Sequence, residues 1–175
     1  MSGTVLEVPD AVAMRALGGR LAGLLGAGDL VVLAGDLGAG KTTLVQGLGQ
    51  AMGVRGQVAS PTFIIARVHP AVRGGPDLVH VDAYRLASLA EVDDLDLDTS
   101  VAASVTVVEW GRGKVEVLAE DRLEIEIRRP HGARATGGLA PDVADLTSDA
   151  PRLVTVRGVG ARWAEADLAA LEEPA

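Results

Sequence analysis

Residues 35–42, Gly-Asp-Leu-Gly-Ala-Gly-Lys-Thr, spell G-x-x-x-x-G-K-T. The apolar run Leu30-Val31-Val32-Leu33-Ala34 precedes it, and residues 44–52 follow as a helical stretch. A strand, a glycine-rich loop and a helix are the context a phosphate-binding loop needs. The glycines let the backbone curl so that its N–H groups converge on an anion, and the helix N-terminus favours the same negative charge. In such a loop Lys41 reaches the β- and γ-phosphates and the Thr42 hydroxyl holds Mg²⁺. A glycine-rich turn could match by accident, but lysine usage argues against it. The chain has only two lysines, Lys41 and Lys114, against 14 arginines. A phosphate loop needs a compact ammonium on a slim stem, for which a guanidinium fork is a poor substitute. The loop predicts binding of a nucleoside triphosphate.

Three further groups could turn binding into chemistry. Asp82 ends the apolar stretch Leu78-Val79-His80-Val81-Asp82, where a hard oxygen anion can hold Mg²⁺ directly or through its waters. The alternative is an aspartate that only serves the strand-end turn. His80 lies two residues earlier on the same strand face, and a lone histidine reads more readily as a hydrogen-bonded structural residue than as a catalytic one. Glu109 follows Thr106-Val107-Val108, at the strand end where open α/β sheets place ligands. A carboxylate there can orient or deprotonate an attacking water, unless it is simply a surface glutamate. Ser60-Pro61-Thr62 lies in the connection after the loop's helix, where a hydroxyl can sense the γ-phosphate as switch segments do, or merely start a strand. Only four aromatics occur in the chain, and three of them, Phe63, Tyr84 and Trp110, flank Thr62, Asp82 and Glu109. Phe63 reads as core filling; Trp110 is a better candidate for contacting nucleotide or a partner.

These groups must be carried by a regular scaffold. At 175 residues the chain reads as one domain, 1–175, with a core of Val, Leu, Ile and Ala. Residues 4–8 read as a short strand. Asp10 caps a helix whose apolar positions Met14, Leu17, Leu21 and Leu24 fall three and four apart. Further strands are expected at 30–34, 62–68, 77–82, 101–108, 122–127 and 153–156. A capping box at Ser88-Leu89-Ala90-Glu91 opens a short helix, and a terminal helix covers 163–171. The predicted fold class is α/β, a P-loop NTPase whose mostly parallel sheet carries helices on both faces and antiparallel strands at one end. Residues 128–151, poor in large apolar side chains, read as a long mobile loop inserted in that domain.

Composition sets outer bounds. No apolar run approaches the length of a membrane span, Met1-Ser2-Gly3 opens no signal peptide, and the absence of cysteine excludes disulfides and thiolate metal sites. A cytoplasmic location is expected. A net charge of -8 argues against autonomous nucleic-acid binding, which draws on a basic surface.

Taken together, Gly-Asp-Leu-Gly-Ala-Gly-Lys-Thr-Thr at 35–43, Ser-Pro-Thr-Phe at 60–63, His-Val-Asp-Ala-Tyr-Arg-Leu at 80–86 and Val-Glu-Trp-Gly at 108–111 resemble the TsaE (YjeE) family. The resemblance runs from about residue 4 to residue 127. It implies a Mg²⁺-dependent ATPase needed to form threonylcarbamoyladenosine at adenosine 37 of tRNA; with no obvious lid or arginine finger in the sequence, activity is expected to be weak alone and gated by partners. It further implies that ATP binds the loop from Gly35 through Asp36, Leu37, Gly38, Ala39, Gly40, Lys41 and Thr42 to Thr43, which belongs to the helix start. Thr62 would sit in a switch-like segment, Thr42 and Asp82 would serve the metal, and Glu109 and Trp110 would be needed for hydrolysis. The implied partners are TsaD, which carries out the transfer, and TsaB; tRNA is met only through that complex, and the isolated chain is expected to be a monomer. Two departures are visible: where family members often carry a second acid soon after the Glu-Trp pair, this chain has Arg112 and Lys114, and residues 128–151 look like an insertion.

Two readings from other classes compete. A small-molecule kinase would need an acceptor pocket and an arginine-bearing lid, whereas Arg67, Arg73 and Arg85 are scattered. A nucleotide-dependent binding module with negligible turnover would share every motif. No Asn-Lys-x-Asp base-recognition motif occurs, which favours adenine over guanine.

Overall fold

The computed structural model describes residues 2–59, 66–72, 74–85, 102–116, 119–129 and 150–172. Seven strands form one sheet: β1 (Ser2–Val8), β2 (Leu30–Gly35), β3 (Ala66–His69), β4 (Asp77–Asp82), β5 (Ser104–Glu109), β6 (Arg122–Arg128) and β7 (Arg152–Val159). Their order is β1-β7-β6-β2-β5-β4-β3. The central strands β6, β2, β5 and β4 run parallel. β7 and β1 are antiparallel additions beyond β6, and β3 pairs antiparallel with β4 at the opposite edge, so such strands lie at both ends of the sheet and not at one as expected.

The inner strands are legible as physics. β2 and β5 are apolar runs buried along nearly their whole length, as parallel strands covered on both faces must be. β6 alternates instead: Leu123, Ile125 and Ile127 are buried while Arg122, Glu124 and Glu126 turn to the other, half-exposed face. Helix α1 (Ala11–Ala22) starts where the Asp10 carboxylate accepts the Ala13 N–H at 2.8 Å, the predicted cap. Helix α2 (Lys41–Met52) has no side-chain cap at its N-terminus; it begins at Gly40 and ends at Gly53, both left-handed.

Met14, Leu17 and Leu21 of α1 and Leu44, Val45 and Leu48 of α2 join Val31, Leu33, Val107 and Ile125 in one core. Both α-helices among the described residues therefore cover the same sheet face, where helices on both faces were expected. The other face buries Leu30, Val32, Val81 and Val108 under Val115. The helix expected at Ser88 lies outside the described residues, as do 62–65 of the third expected strand and 130–149 of the expected loop.

The C-terminus differs from expectation. Instead of one helix there are two 3-10 turns, Ala161–Trp163 and Leu168–Glu172. Asp167 breaks the run: its carboxylate accepts the Ala169 N–H, which starts a new turn. Trp163, Leu168 and Leu171 still reach the core, so burial survives the change of helix type.

Candidate functional site

β2 delivers the chain into the glycine loop, and the left-handed Gly38 (φ 73°) and Gly40 (φ 111°) turn it back into α2. Because α2 lacks a side-chain cap, the N–H groups of its first turn remain available to an anion. Around them lies a cleft of about 480 Å³, lined by Leu37, Gly38, Gly40, Lys41, Thr42, Thr43, Asp82, Tyr84, Glu109 and Trp110. Of the nine residues predicted to cradle nucleotide from 35 to 43, three do not line it. Gly35 and Asp36 turn their carbonyls to Lys41, and Ala39 is packed into the core.

Lys41 is 5% exposed. Its Nζ donates to the Gly35 carbonyl at 2.9 Å and the Asp36 carbonyl at 3.0 Å. Nζ also lies 4.0 Å from the centre of the Trp110 ring, a cation–π distance. Burial pushes the ammonium below its ordinary pKa, while the Glu109, Asp82 and Asp36 carboxylates pull the other way. Those acids keep a positive charge tenable in a half-dry cleft.

Glu109 sits at the C-terminal end of β5, beside Leu33 of β2 on one side and Asp82 of β4 on the other. Its Oε1 accepts from the Thr42 hydroxyl at 3.2 Å and lies 2.9 Å from His80 Nε2. His80 is the structural, hydrogen-bonded histidine expected, and its bond goes to the acid that lines the cleft. That link was missed, although the alternation of β4 already put His80 on the face of Asp82. Asp82 itself accepts the Tyr84 N–H at 2.9 Å, closing the turn after β4. Its carboxylate therefore serves the strand-end turn as well as facing the cleft.

Trp110 has φ 60°, the left-handed region a bulky residue seldom occupies. Its N–H is held by the Leu33 carbonyl at 2.9 Å, which turns the chain sharply after β5 and brings the ring over Lys41. Tyr84, 66% exposed, meets Trp110 edge-on with ring centres 5.3 Å apart. Lys114, one of the two residues that depart from the family pattern, donates to the Ala83 carbonyl at 2.7 Å and so ties the loop after β5 to the turn after β4. Only the tertiary structure could reveal that contact. Thr62 and Phe63 lie outside the described residues.

The donor set suits magnesium. Thr42 and Asp82 offer hard oxygens in one cleft, and no group of three or more His, Cys, Asp or Glu able to hold a metal exists among the described residues. A cation there would complete its shell with phosphate and water oxygens, the habit of Mg²⁺.

The family model of the threonylcarbamoyl adenosine biosynthesis protein TsaE matches residues 8–136. A protein of Streptomyces coelicolor named tRNA threonylcarbamoyladenosine biosynthesis protein TsaE is 59% identical over 159 residues, which is 90% of this chain and 99% of that one. A Mycobacterium leprae protein of the same name is 50% identical over 73% of this chain and 83% of its own. Among solved structures, Bacillus subtilis YdiB superposes with a TM-score of 0.65 and 26% identity, covering 91% of this chain and 87% of its own.

Proposed function

This chain belongs to the TsaE family of tRNA threonylcarbamoyladenosine biosynthesis proteins, and from that premise we propose that it binds and hydrolyses ATP for that modification. It works with TsaB and TsaD in the cytoplasm and resets their complex between turnovers. One observation carries the reading. Glu109, at a strand end, is hydrogen-bonded to the hydroxyl of Thr42, which follows the buried Lys41 of the glycine loop.

The roles follow from position. The loop and the first turn of α2 bind the phosphates, and Lys41 exchanges its hold on the Gly35 and Asp36 carbonyls for phosphate oxygens. Thr42 and Asp82 would hold Mg²⁺, which would supply positive charge to offset that of the phosphates. Glu109 orients the attacking water, and the role proposed for the Thr62 hydroxyl is to sense the γ-phosphate. Among the described residues, the cleft lining contains no arginine. A site without an arginine finger hydrolyses about 10³ to 10⁵ more slowly than one supplied with it. Turnover should therefore be gated by protein contacts at the rim, where Tyr84 and Trp110 meet.

The test is steady-state ATP hydrolysis by the chain alone, then with TsaB and TsaD. The pair should raise the rate by about 10³-fold, the low end of what a supplied arginine contributes. Trp110→Ala should lose that stimulation. Lys41→Ala should abolish ATP-dependent thermal stabilisation, which amounts to about 2.7 kcal/mol at a hundredfold excess over Kd. Fast hydrolysis by the chain alone, indifferent to the pair and to Trp110→Ala, would overturn the reading.

A further inference from the structure

His80 is 0% exposed, sits on β4 one strand away from β5, and points its Nε2 at Glu109 Oε1 at 2.9 Å. A carboxylate oxygen only accepts, so Nε2 carries the proton in this pair. Its other ring nitrogen, Nδ1, is buried with no hydrogen-bond partner among the described residues. An ordinary core histidine is satisfied at both nitrogens; among the described residues this one is satisfied only through Glu109. Glu109 in turn is 3% exposed and takes both of its hydrogen bonds from described residues, Thr42 and His80, on Oε1.

We propose that His80 is a positioning residue for hydrolysis: by donating from Nε2 it fixes the Glu109 carboxylate beside the Thr42 hydroxyl, so that the acid meets the cleft in one orientation. A glutamate has three rotatable side-chain bonds, and Thr42 alone holds Oε1 through a hydroxyl that can itself rotate. The imidazole, locked in the core, removes that freedom before nucleotide arrives. His80 has no exposed surface and does not line the cleft, so it acts only through Glu109.

The turnover part of this proposal rests on the hydrolytic reading above; the contact part does not. Glutamine places an amide where Nε2 stands, asparagine where Nδ1 stands, and leucine fills similar volume with no donor. With TsaB and TsaD present, His80→Leu should lower kcat about 10- to 100-fold, as loss of an orienting contact usually does. ATP affinity should stay near that of the parent chain. His80→Gln should recover most of the lost rate and His80→Asn should not. Thermal melts of His80→Leu, Glu109→Leu and the double variant form a cycle that needs no catalysis. Loss of either partner strands the other's buried polar group, so the double variant should melt above the sum of the two losses. Additive melts, or Gln and Asn variants that turn over alike, would overturn the proposal. Should the parent chain fail to hydrolyse ATP even with its partners, the hydrolytic reading falls, and the melting cycle alone supports or refutes the His80–Glu109 contact.

Discussion

Lys41, Trp110 and Glu109 line one cleft, each held by a different force. The Lys41 ammonium is satisfied by two backbone carbonyls and the face of an indole. The indole is placed by a left-handed backbone turn, and the glutamate by a hydroxyl and an imidazole. The two carboxylates of the cleft differ in what they touch. Glu109 is bonded to the Thr42 hydroxyl, whereas Asp82 is partly committed to the turn that carries Tyr84. Substitution should separate their roles. Asp82→Ala should weaken Mg·ATP binding far more than binding of metal-free ATP, as titrations with and without Mg²⁺ will read. Glu109→Ala should leave affinity nearly intact while lowering kcat, the signature of an interaction used in the transition state alone. If both variants lose affinity equally and keep turnover per bound nucleotide, the division of labour is wrong.

At the scale of elements, the site depends on how closely α2 is pressed against α1. A Cβ on Gly47 would run into the Arg15 carbonyl, and one on Gly18 into the Leu44 carbonyl, so the helices meet backbone to backbone. That approach fixes the axis of α2 and hence the aim of its N-terminal N–H groups. Gly19, one residue along α1, is different: the nearest atom to its Cβ would be the Ala51 methyl at 3.9 Å. Gly47→Ala should therefore destabilise the fold by about 1–3 kcal/mol, through overpacking against backbone. Gly19→Ala should stabilise it by up to about 1 kcal/mol, the helix propensity gained. Urea denaturation of the two variants checks this, and equal effects would show that the close approach is not real. Periodicity and the Asp10 cap made α1 readable, but nothing local distinguishes Gly47 from Gly19. That difference lies in what each one faces.

For the whole molecule, charge and topology govern partners. With a net charge of -8 and an isoelectric point near 4.8, the chain has no excess of cations to neutralise a phosphate backbone. The isolated chain should therefore fail to retain tRNA in filter binding at about 0.15 M salt. It should be carried with tRNA only when TsaB and TsaD are present. Tight retention by the chain alone would contradict the indirect role. No helix among the described residues is long and apolar enough to cross a membrane.

The sequence by itself determined the α/β class, the glycine loop between β2 and α2, and the strand ends that carry Asp82 and Glu109. These are written in short-range signals: an apolar run, glycine spacing, a lysine kept among arginines. Sheet order was not legible, because strand neighbours are chosen by long-range packing. Placement of β5 next to β2 brings Glu109 beside Leu33 and lets it reach Thr42, 67 residues earlier in the chain. Tertiary structure likewise decided the Trp110–Lys41 stacking, the His80–Glu109 bond and the tie from Lys114 to Ala83. The expected terminal helix gave way to two turns for a local reason, the Asp167 carboxylate taking the Ala169 N–H and starting a new turn. Local propensity names an element; which side chains share a hydrogen bond is settled only once the sheet has assembled.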